Sequence, residues 1–471
     1  PKIHPGASEA TDGKDNDCDR IADDGKSTSD GDGDGLSIAA GDCDDTRKDV
    51  YLGAPELLDG RDNDCDKQTD EDFTHRILLN DGSGHFTVAP AQGGVSALEP
   101  TTVAAFGDGN GDGKLDLYYG NWLVTYPYDP AVPDRYFEGK GDGTFVDAQA
   151  KAGLVLATPY SPYGVSWADY NNDGLPDLYV SNYHMYPNQL WKNLGGGVFV
   201  DVAVKVGVAY DEIPGPNTKL PGGHSYNAAF GDVDNDGDLD LFLCNLAHPR
   251  VQPWSDPSTF LVSRGAPEWS FENRTQASGF AYDEGDVGAA FGDYDNDGDL
   301  DLAIASLYTG HYSKLYRNDG AKGFVDVTYE AGVAVHDAVT VTWADVDEDG
   351  ALDLLLADRD GVAPNVHLFL NRVGKKGGTY VALDLRGSTT NRDAAGARVT
   401  LRTGSTTQIR EVPGGGGNPQ LPHTLHVGLG GAGTIDELTV RWVGGGFEKV
   451  SGAQPGGRFR IVEGSGKAVK P

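Results

Sequence analysis

Five short apolar runs in the middle of the chain have the pattern of buried strands, and each follows an acidic loop. The runs read LDLYYGN, LYVSN, LDLFLCN, LDLAIAS and LDLLLAD, and they lack the 3.6-residue spacing of a helix. Another strand-like segment precedes each loop and ends on an aromatic residue followed by a small one. Each loop is therefore predicted to join two strands. The aromatic and small pairs are Phe106-Gly107, Trp167-Ala168, Phe230-Gly231, Phe291-Gly292 and Trp343-Ala344.

The loops repeat the pattern Asp-x-[Asp/Asn]-x-Asp-Gly-x-x-Asp at steps of 61, 63, 61 and 52 residues. That period is in the range of β-propeller blades. Further hairpins with Gly-rich turns, such as YFEGKGDGTFVDA, lie between the loops and supply two more strands per repeat. The sequence therefore predicts an all-β propeller with five readable four-stranded blades.

The acids of each loop suit a hard cation. Alternate positions of a tight turn point to the same side, the sixth-position glycine allows the sharp turn, and the ninth-position acid completes a calcium cage. An EF-hand would carry its last acid at position twelve and would be flanked by helices. The alternative is a hairpin turn without metal. The predicted ligands, about five calcium ions in all, are Asp108, Asn110, Asp112 and Asp116; Asp169, Asn171, Asp173 and Asp177; Asp232, Asp234, Asp236 and Asp240; Asp293, Asp295, Asp297 and Asp301; and Asp345, Asp347, Asp349 and Asp353.

The aromatic residue before each loop has two interpretations. Packing between neighbouring blades is favoured, because a strictly repeated position usually serves the repeat interface. A platform for stacking a ligand is the alternative.

The tandem loops and their flanking strands resemble the FG-GAP or VCBS family, which is found in integrin α-subunit propellers and bacterial surface proteins. The resemblance covers residues 74–372. It implies a calcium-stabilised β-propeller with an adhesive or structural role. The integrin propeller has seven blades, so the resemblance leaves the blade number open.

The first 72 residues differ from the repeats. They contain 22 acidic residues against 8 basic ones, and Tyr51 is their only aromatic residue. Such a segment cannot bury an apolar core. Its acids form clusters that predict up to three further calcium loops, and a disordered acidic tail is the alternative. The clusters are Asp15, Asp17, Asp19 and Asp23; Asp30, Asp32 and Asp34 with Asp42 or Asp44; and Asp62, Asp64, Asp66 and Asp70.

The runs GDCDD and YLGAPELLDGRDNDCD resemble one repeat of the MopE type of Asp/Cys-rich metal-binding motif. Within that resemblance Cys43 and Cys65 fall at corresponding acidic loops and are expected to form a disulfide. Cys18 belongs to a copy that starts in mid-repeat. We call residues 1–72 the acidic arm. The acidic arm is expected either to be held by a neighbouring subunit, as in a head-to-tail filament, or to fold back on its own propeller. Cys244, on an apolar strand, is expected to be a buried free thiol.

Residues 379–463 alternate between apolar and polar positions and predict a sandwich-like β domain. The runs NRDAAGARV, HVGLG and IDELTVRW resemble the ASPIC/UnbV family, and no activity follows from that resemblance. His423 and His426 flank one strand and either bind a metal or are ordinary histidines, and the latter is favoured. The predicted domains are thus residues 1–72, 73–375 and 376–471.

The net charge of −35 argues against nucleic-acid binding. No apolar stretch approaches the length of a membrane span, and the absence of a leader segment suggests a mature extracellular or cell-surface protein. Metalloprotease, serine-hydrolase and nucleotide-binding motifs are absent, and the acids are nearly all assigned as ligands, so the sequence predicts no enzyme.

Three functions therefore stay open: a structural or adhesive protein that binds itself or an extracellular protein, a glycan-binding propeller, and a calcium-dependent carbohydrate-active enzyme. The first is favoured. Clustering of Trp122, Trp254 and Trp269 on one face would favour glycan binding. Two uncoordinated carboxylates in a cleft would favour the enzyme.

Overall fold

The structure is a computed structural model that describes most of the chain. The described residues are 30–54, 61–67, 75–95, 99–122, 132–183, 185–210, 223–246, 257–280, 285–308, 310–359, 365–372, 378–416, 422–444 and 446–471. Two compact units are present, Pro1–Glu99 and Pro100–Pro471. The predicted boundaries after residues 72 and 375 stay predictions.

The first unit has little regular structure. It contains a 3-10 helix at Ile38–Ala40, strands β1 (Leu78–Asn80) and β2 (Phe86–Val88), and a second 3-10 helix at Pro90–Gly94. β1 and β2 pair as an antiparallel hairpin. A disulfide joins Cys43 to Cys65 with a Cα–Cα distance of 5.9 Å, which confirms the expected pairing.

Five antiparallel sheets fill the first part of the second unit, and we call them blades one to five. Blade one has β3 (Thr101–Gly107), β4 (Asp116–Asn121), β5 (Arg135–Gly139) and β6 (Phe145–Asp147). Blade two has β7 (Ser161–Ala168), β8 (Asp177–Tyr183), β9 (Gln189–Asn193) and β10 (Phe199–Asp201). Blade three has β11 (Ser225–Gly231), β12 (Asp240–Asn245), β13 (Thr259–Ser263) and β14 (Phe271–Asn273).

Blades four and five continue the series. Blade four has β15 (Asp286–Gly292), β16 (Asp301–Ser306), β17 (Lys314–Asn318) and β18 (Phe324–Asp326). Blade five has β19 (Ala338–Ala344), β20 (Asp353–Asp358) and β21 (Val366–Phe369), so its sheet has three strands within the described residues. One-turn helices α1 (Gln149–Ala152), α2 (Ala203–Val206) and α3 (Thr328–Ala331) follow the fourth strands of blades one, two and four, and a 3-10 helix lies at Gly320–Lys322.

A separate apolar core lies between each pair of neighbouring blades in the series from blade one to blade five. The core between blades one and two combines Tyr118 and Tyr136 with Trp167 and Leu178, and equivalent cores join each later pair of blades. The repeated aromatic residue packs on the small residue of the preceding blade. A Cβ atom on Gly107 would lie 2.6 Å from the Trp167 ring, so only glycine fits there. The interblade-packing interpretation of the aromatic residues therefore agrees with the structure.

The last part of the second unit is a two-sheet sandwich. Its eight strands are β22 (Thr379–Arg386), β23 (Arg398–Thr403), β24 (Thr406–Glu411), β26 (Leu425–Gly430), β27 (Glu437–Arg441), β28 (Phe447–Lys449), β29 (Gly457–Val462) and β30 (Ala468–Val469), and the short strand β25 (Gly415–Gly416) lies between β24 and β26 in the chain. One sheet has the order β26-β22-β29-β30 and the other β24-β23-β27-β28. Apolar residues at alternate positions of both sheets form the core between them.

β25 leaves the sandwich and joins blade one. Gly415 and Gly416 pair antiparallel with Phe106 and Ala105 of β3, so that blade one becomes a five-stranded sheet. The all-β prediction is confirmed. In the part of the chain that the structure describes, no helix is both long and apolar enough to cross a lipid bilayer.

Candidate metal centres

Each acidic loop connects the first and second strands of a blade, so the loops lie at the same end of all five blades. We number the loops one to five: 108–116, 169–177, 232–240, 293–301 and 345–353. Their sixth-position glycines have left-handed backbone angles, such as φ +93° at Gly237 and φ +104° at Gly298. Glycine adopts this conformation without steric cost, and it turns the chain so that the acids before it face inward.

Loops three, four and five each bring three carboxylates together, with their ligating oxygens within 4.8 Å of one another. Two acidic clusters of the first unit do the same. All three loops use their first- and third-position acids, to which loop five adds the ninth-position acid and loops three and four add the fifth-position acid. The clusters are Asp232, Asp234 and Asp236; Asp293, Asp295 and Asp297; Asp345, Asp347 and Asp353; Asp30, Asp32 and Asp34; and Asp62, Asp64 and Asp66.

Loops one and two are less acidic, and within the described residues they do not bring three acidic side chains as close together. Asn110 and Asn171 take the third position, where an amide oxygen replaces a carboxylate. The remaining predicted ligands still surround the turn, since Asp108 accepts the backbone N–H groups of Asp112 and Gly113 at 3.1 and 3.0 Å. Asp169 accepts the equivalent groups in loop two. Asp349 of loop five lies outside its cluster and is 3.4 Å from Arg372.

The ninth-position acid has a second role that the sequence pattern did not indicate. In all five loops its Oδ1 atom accepts a backbone N–H over 2.7 to 3.0 Å. The donor is the last residue of the third strand in blades one to four and lies two residues beyond it in blade five. The acid therefore ties its loop to the third strand of the same blade. The acceptors and donors are Asp116 and Gly139, Asp177 and Asn193, Asp240 and Ser263, Asp301 and Asn318, and Asp353 and Asn371.

Burial of these acids makes their charged forms costly. Desolvation is the largest cause of a raised pKa at Asp232, to about 6, at Asp293, to about 7, and at Asp240, to about 8. The pKa values of Asp177 and Asp301 are raised well above the usual range for the same reason. A divalent cation would offset this cost, because it supplies opposite charge at the centre of the cluster.

The donor set fits a hard metal ion. Every clustered ligand is a carboxylate oxygen, the type preferred by Ca²⁺ and Mg²⁺, and no sulfur or imidazole takes part in these clusters. Among the described residues, the buried Oδ1 of Asp295 and the Oδ2 atoms of Asp32 and Asp34 have no hydrogen-bond partner. The Asp clusters therefore indicate sites for metal ions.

Apart from its two carboxylate clusters, the acidic arm (residues 1–72) is only partly described. Asp42 is buried and Asp44 is half-buried beside the disulfide loop. The predicted ligands Asp15, Asp17, Asp19, Asp23 and Asp70 lie outside the described residues, as does Cys18. Cys244 is a buried free thiol, as expected.

Sequence reasoning missed a set of asparagines that link successive loops. Asn172 donates through Nδ2 to Asp238 Oδ1 of the next loop at 2.6 Å, and Asn235 donates to Asp299 Oδ1 at 2.8 Å. Asn296 donates to the carbonyl oxygen of Gly350 at 2.9 Å. All three residues have φ between +58° and +60°, a left-handed conformation that asparagine tolerates better than most residues. Their recurrence at the fourth loop position was the available signal.

Sequence reasoning also missed the contact between the sandwich and loop two. Arg441 donates to the carboxylate of Asp169 and, at 2.9 Å, to the carbonyl oxygen of Asn172. Arg398 donates to the carbonyl oxygen of Asp169 at 2.6 Å and forms a buried ion pair with Glu411 at 2.7 Å. Two arginines of the sandwich therefore hold the first acid of a predicted metal loop.

The alternative metal role of the histidines and the clustering of the tryptophans gain no support from the described residues. His426 Nε2 lies 2.7 Å from Asn296 Oδ1, and burial lowers the pKa of His426 to about 4. His426 is therefore a neutral packing residue, which agrees with the ordinary interpretation. Trp122 stacks on Tyr163 at 4.7 Å, whereas Trp269 packs against a different core. Trp254 lies outside the described residues.

Three family models match separate parts of the chain. FG-GAP-like repeats match residues 123–180 and 293–356, ASPIC and UnbV matches residues 387–468, and the MopE metal-binding motif matches residues 1–24 and 42–71. All three predicted resemblances are confirmed. The chain thus contains FG-GAP-like repeats, which are consistent with a β-propeller, together with an ASPIC/UnbV segment and MopE-like motifs.

Among curated proteins the chain is similar to cartilage acidic protein 1. It is 25% identical to the mouse protein over 72% of this chain and 51% of that protein, and 26% identical to the Xenopus tropicalis protein over 72% and 50%. The human protein matches at 27% identity over 37% of this chain and 24% of that protein. The chain thus spans at most about half the length of these relatives.

Two solved structures have a weaker likeness. The Vibrio cholerae biofilm matrix protein Bap1 matches with a TM-score of 0.32 and 12% identity, over 77% of this chain and 62% of that one. BBS1N in complex with ARL6DN matches with a TM-score of 0.29 and 12% identity, over 72% and 98%. Likenesses at this level establish neither fold detail nor function.

Proposed function

We propose that the protein is a calcium-binding structural or adhesive protein of the extracellular space or cell surface. The observation that carries the proposal is the convergence of three carboxylates at the same loop of three consecutive blades. Unneutralised carboxylates this close together repel one another, so a divalent cation links loop geometry to blade stability. The protein then acts as a rigid scaffold in calcium-containing surroundings.

Calcium is favoured over magnesium by the form of the loops. Ca²⁺ accepts six to eight oxygen ligands in flexible geometry, whereas Mg²⁺ requires a near-octahedral shell. The loops combine carboxylates with amide oxygens in an irregular turn, which suits the larger ion. The proposed stoichiometry is about five ions in the propeller and up to three in the acidic arm.

The proposal also includes an oxidising extracellular compartment and a role without catalysis. The Cys43–Cys65 disulfide favours an oxidising compartment. The buried acids of the five loops either face a metal cluster or anchor a strand, and we assign them to binding rather than catalysis. Self-association is the specific version of the adhesive role, since calcium shared between acidic surfaces would offset the repulsion between copies that carry a charge of −35 each.

Calcium removal tests the proposal. We expect the melting temperature in excess EGTA to lie more than about 10 °C below that in millimolar calcium, because each ion at 100 times its Kd adds about 2.7 kcal/mol of stability. Magnesium added in place of calcium should restore only a small part of the lost melting temperature. A melt that is the same with and without calcium would contradict the calcium assignment.

A matched pair of variants tests the site. Asp295→Asn should remove one bound ion from the stoichiometry measured by equilibrium dialysis, because Asp295 is a clustered ligand. Asp142→Asn is the control, since Asp142 lies in an exposed hairpin turn away from the clusters and accepts hydrogen bonds from Thr144. Equal stoichiometry in both variants would remove loop four as a site.

Assembly is tested separately by electron microscopy and light scattering with and without calcium. Polymers that need both calcium and residues 1–72 support a head-to-tail arm, and polymers that persist without residues 1–72 place the contact elsewhere. A protein that stays monomeric in millimolar calcium rules out self-association and leaves an adhesive role towards another extracellular partner.

A further inference from the structure

A cavity of 190 Å³ lies between the first strands of blades two to five and the sandwich. Its blade side is lined by aromatic rings, namely Trp167, Phe230, Phe291 and Trp343. Its sandwich side is lined by Arg410 and His426. Two acids also line it: Glu411, which is ion-paired with Arg398, and Asp232, which belongs to the metal cluster of loop three. With those two charges compensated, Arg410 is the cationic side chain of a largely apolar wall.

Three polar atoms on the cavity wall have no hydrogen-bond partner among the described residues. They are the Nε of Arg410, the Nε1 of Trp167 and the Oδ1 of Asn227. The three residues are only 9%, 7% and 3% exposed. A buried polar atom without a partner is unfavourable, so three of them around one cavity form an arrangement that a ligand would satisfy.

The charge of Arg410 is also uncompensated at close range. Its two terminal nitrogens donate to the carbonyl oxygen of Ile409 and to Oε1 of Gln408, both at 2.8 Å. Within the described residues no carboxylate lies at ion-pairing distance from this guanidinium, and Asp293, Asp232 and Asp299 act on it through longer-range attraction. An anionic group in the cavity would gain a charge-assisted hydrogen bond from Nε.

The chemistry of the wall defines the class of ligand. Arg410 and Trp167 are donors and require an acceptor, for which a carboxylate is the best match in charge and geometry. Asn227 Oδ1 is an acceptor and requires a hydroxyl or amine donor. The aromatic walls suit an apolar ring or chain between these groups, and an apolar protein cavity of about 150 Å³ is known to hold benzene.

We propose that this cavity is a binding site for a small organic carboxylate that also carries a hydroxyl group. The carboxylate receives hydrogen bonds from Arg410 and Trp167, and the hydroxyl donates to Asn227. The cavity borders loops three to five, since Asp232, Leu300 and Leu352 also line it. The three proposed ligand contacts themselves involve no metal ion.

The probe is 4-hydroxybenzoate, with 4-hydroxybenzyl alcohol as the uncharged analogue, titrated by calorimetry into the full chain in excess calcium. We expect saturable binding of the carboxylate and at least tenfold weaker binding of the alcohol, because a charged hydrogen bond is lost. Arg410→Gln should weaken carboxylate binding by at least tenfold. Arg402→Gln is the control, since Arg402 is half-exposed and pairs with Asp436 on the surface.

Trp167→Phe provides a second variant if Arg410→Gln fails to fold, which circular dichroism would reveal. It keeps the aromatic wall and removes only the indole N–H, so it should weaken carboxylate binding several-fold. Three outcomes would overturn the proposal: no saturable binding up to about 10 mM probe, equal binding of the acid and the alcohol, or full affinity in the folded variants. In that case water alone would supply the hydrogen bonds of the three polar atoms on the cavity wall.

Discussion

Arg441 of the sandwich donates a hydrogen bond to the carboxylate of Asp169, the first acid of loop two and 272 residues away in the chain. The two side chains are 12% and 2% exposed, so the contact is largely dry. The C-terminal domain is thus fastened to the end of the blades where the acidic loops lie. Loop two has a structural partner in addition to its predicted metal ion.

Arg441→Gln should destabilise this attachment. The predicted calcium ion still compensates Asp169, so the variant loses the charged hydrogen bond and the bond to the Asn172 carbonyl, and about 2 kcal/mol of unfolding free energy is the expected loss. Chemical denaturation in excess calcium measures it. The surface variant Arg402→Gln should change the same quantity by less than about 1 kcal/mol. Equal losses in the two variants would mean that the Arg441 contact contributes no more than a surface pair.

Asn235 provides a test of the links between loops. Asn235→Gly keeps the left-handed backbone and loses the bond to Asp299, so a loss of about 1 kcal/mol is expected. Asn235→Ala loses the same bond and adds about 1 kcal/mol of backbone strain. Urea unfolding should therefore rank the wild type above the glycine variant and the alanine variant last. The reverse order for glycine and alanine would show that backbone strain at Asn235 is unimportant.

Glu463 predicts a pH effect that is independent of the metal loops. Its carboxylate accepts hydrogen bonds from the backbone N–H groups of Ser388, Thr389 and Thr390, at 2.7 to 2.9 Å, and from the Thr389 hydroxyl at 2.6 Å. These bonds outweigh its desolvation and lower the pKa of Glu463 to about 2.

Because that pKa is depressed in the folded state, the stabilisation is complete above the unfolded value of about 4.3 and is lost as the pH falls towards about 2. The wild type should therefore be more stable than Glu463→Gln at pH 7, and the difference should shrink below about pH 4. Glu268→Gln, at an exposed position, serves as the control. A difference that is constant from pH 7 to pH 3 would refute the pKa assignment.

The disulfide should hold the two acidic loops of the first unit together. Cys43→Ser combined with Cys65→Ser opens a connection of 22 residues, and the chain-entropy model gives a loss of about 3 kcal/mol. Limited proteolysis should then cleave residues 30–67 faster, while peptides from the blades keep their wild-type rate. Peptide mapping without reductant that finds both thiols free would contradict the pairing.

The features that the sequence predicted are local ones. Strands, turns and acidic loops follow from spacing within about ten residues, because the 2-residue strand period and the sixth-position glycine act within one hairpin. The pairing of Cys43 with Cys65 followed from a family resemblance. These predictions required no knowledge of how the blades are arranged.

The missed features depend on distant parts of the chain. Asn172 looks like an ordinary turn residue until the next loop is placed beside it, and Arg398 looks like a strand residue until it reaches Asp169 across 229 positions. The second role of the ninth-position acid is of the same kind, since its donor lies on the third strand. Spacing within one repeat carries no information about such contacts.

The pairing of β25 with β3 affects how the protein can be divided. If the chain were cut after the repeats, β3 would lose β25 on one side and become an open edge strand of blade one, with unpaired backbone groups at Ala105 and Phe106. Exposed edges of this kind recruit strands from other chains and promote aggregation. The repeats and the C-terminal domain, although they match separate family models, are therefore better regarded as one unit for expression and folding.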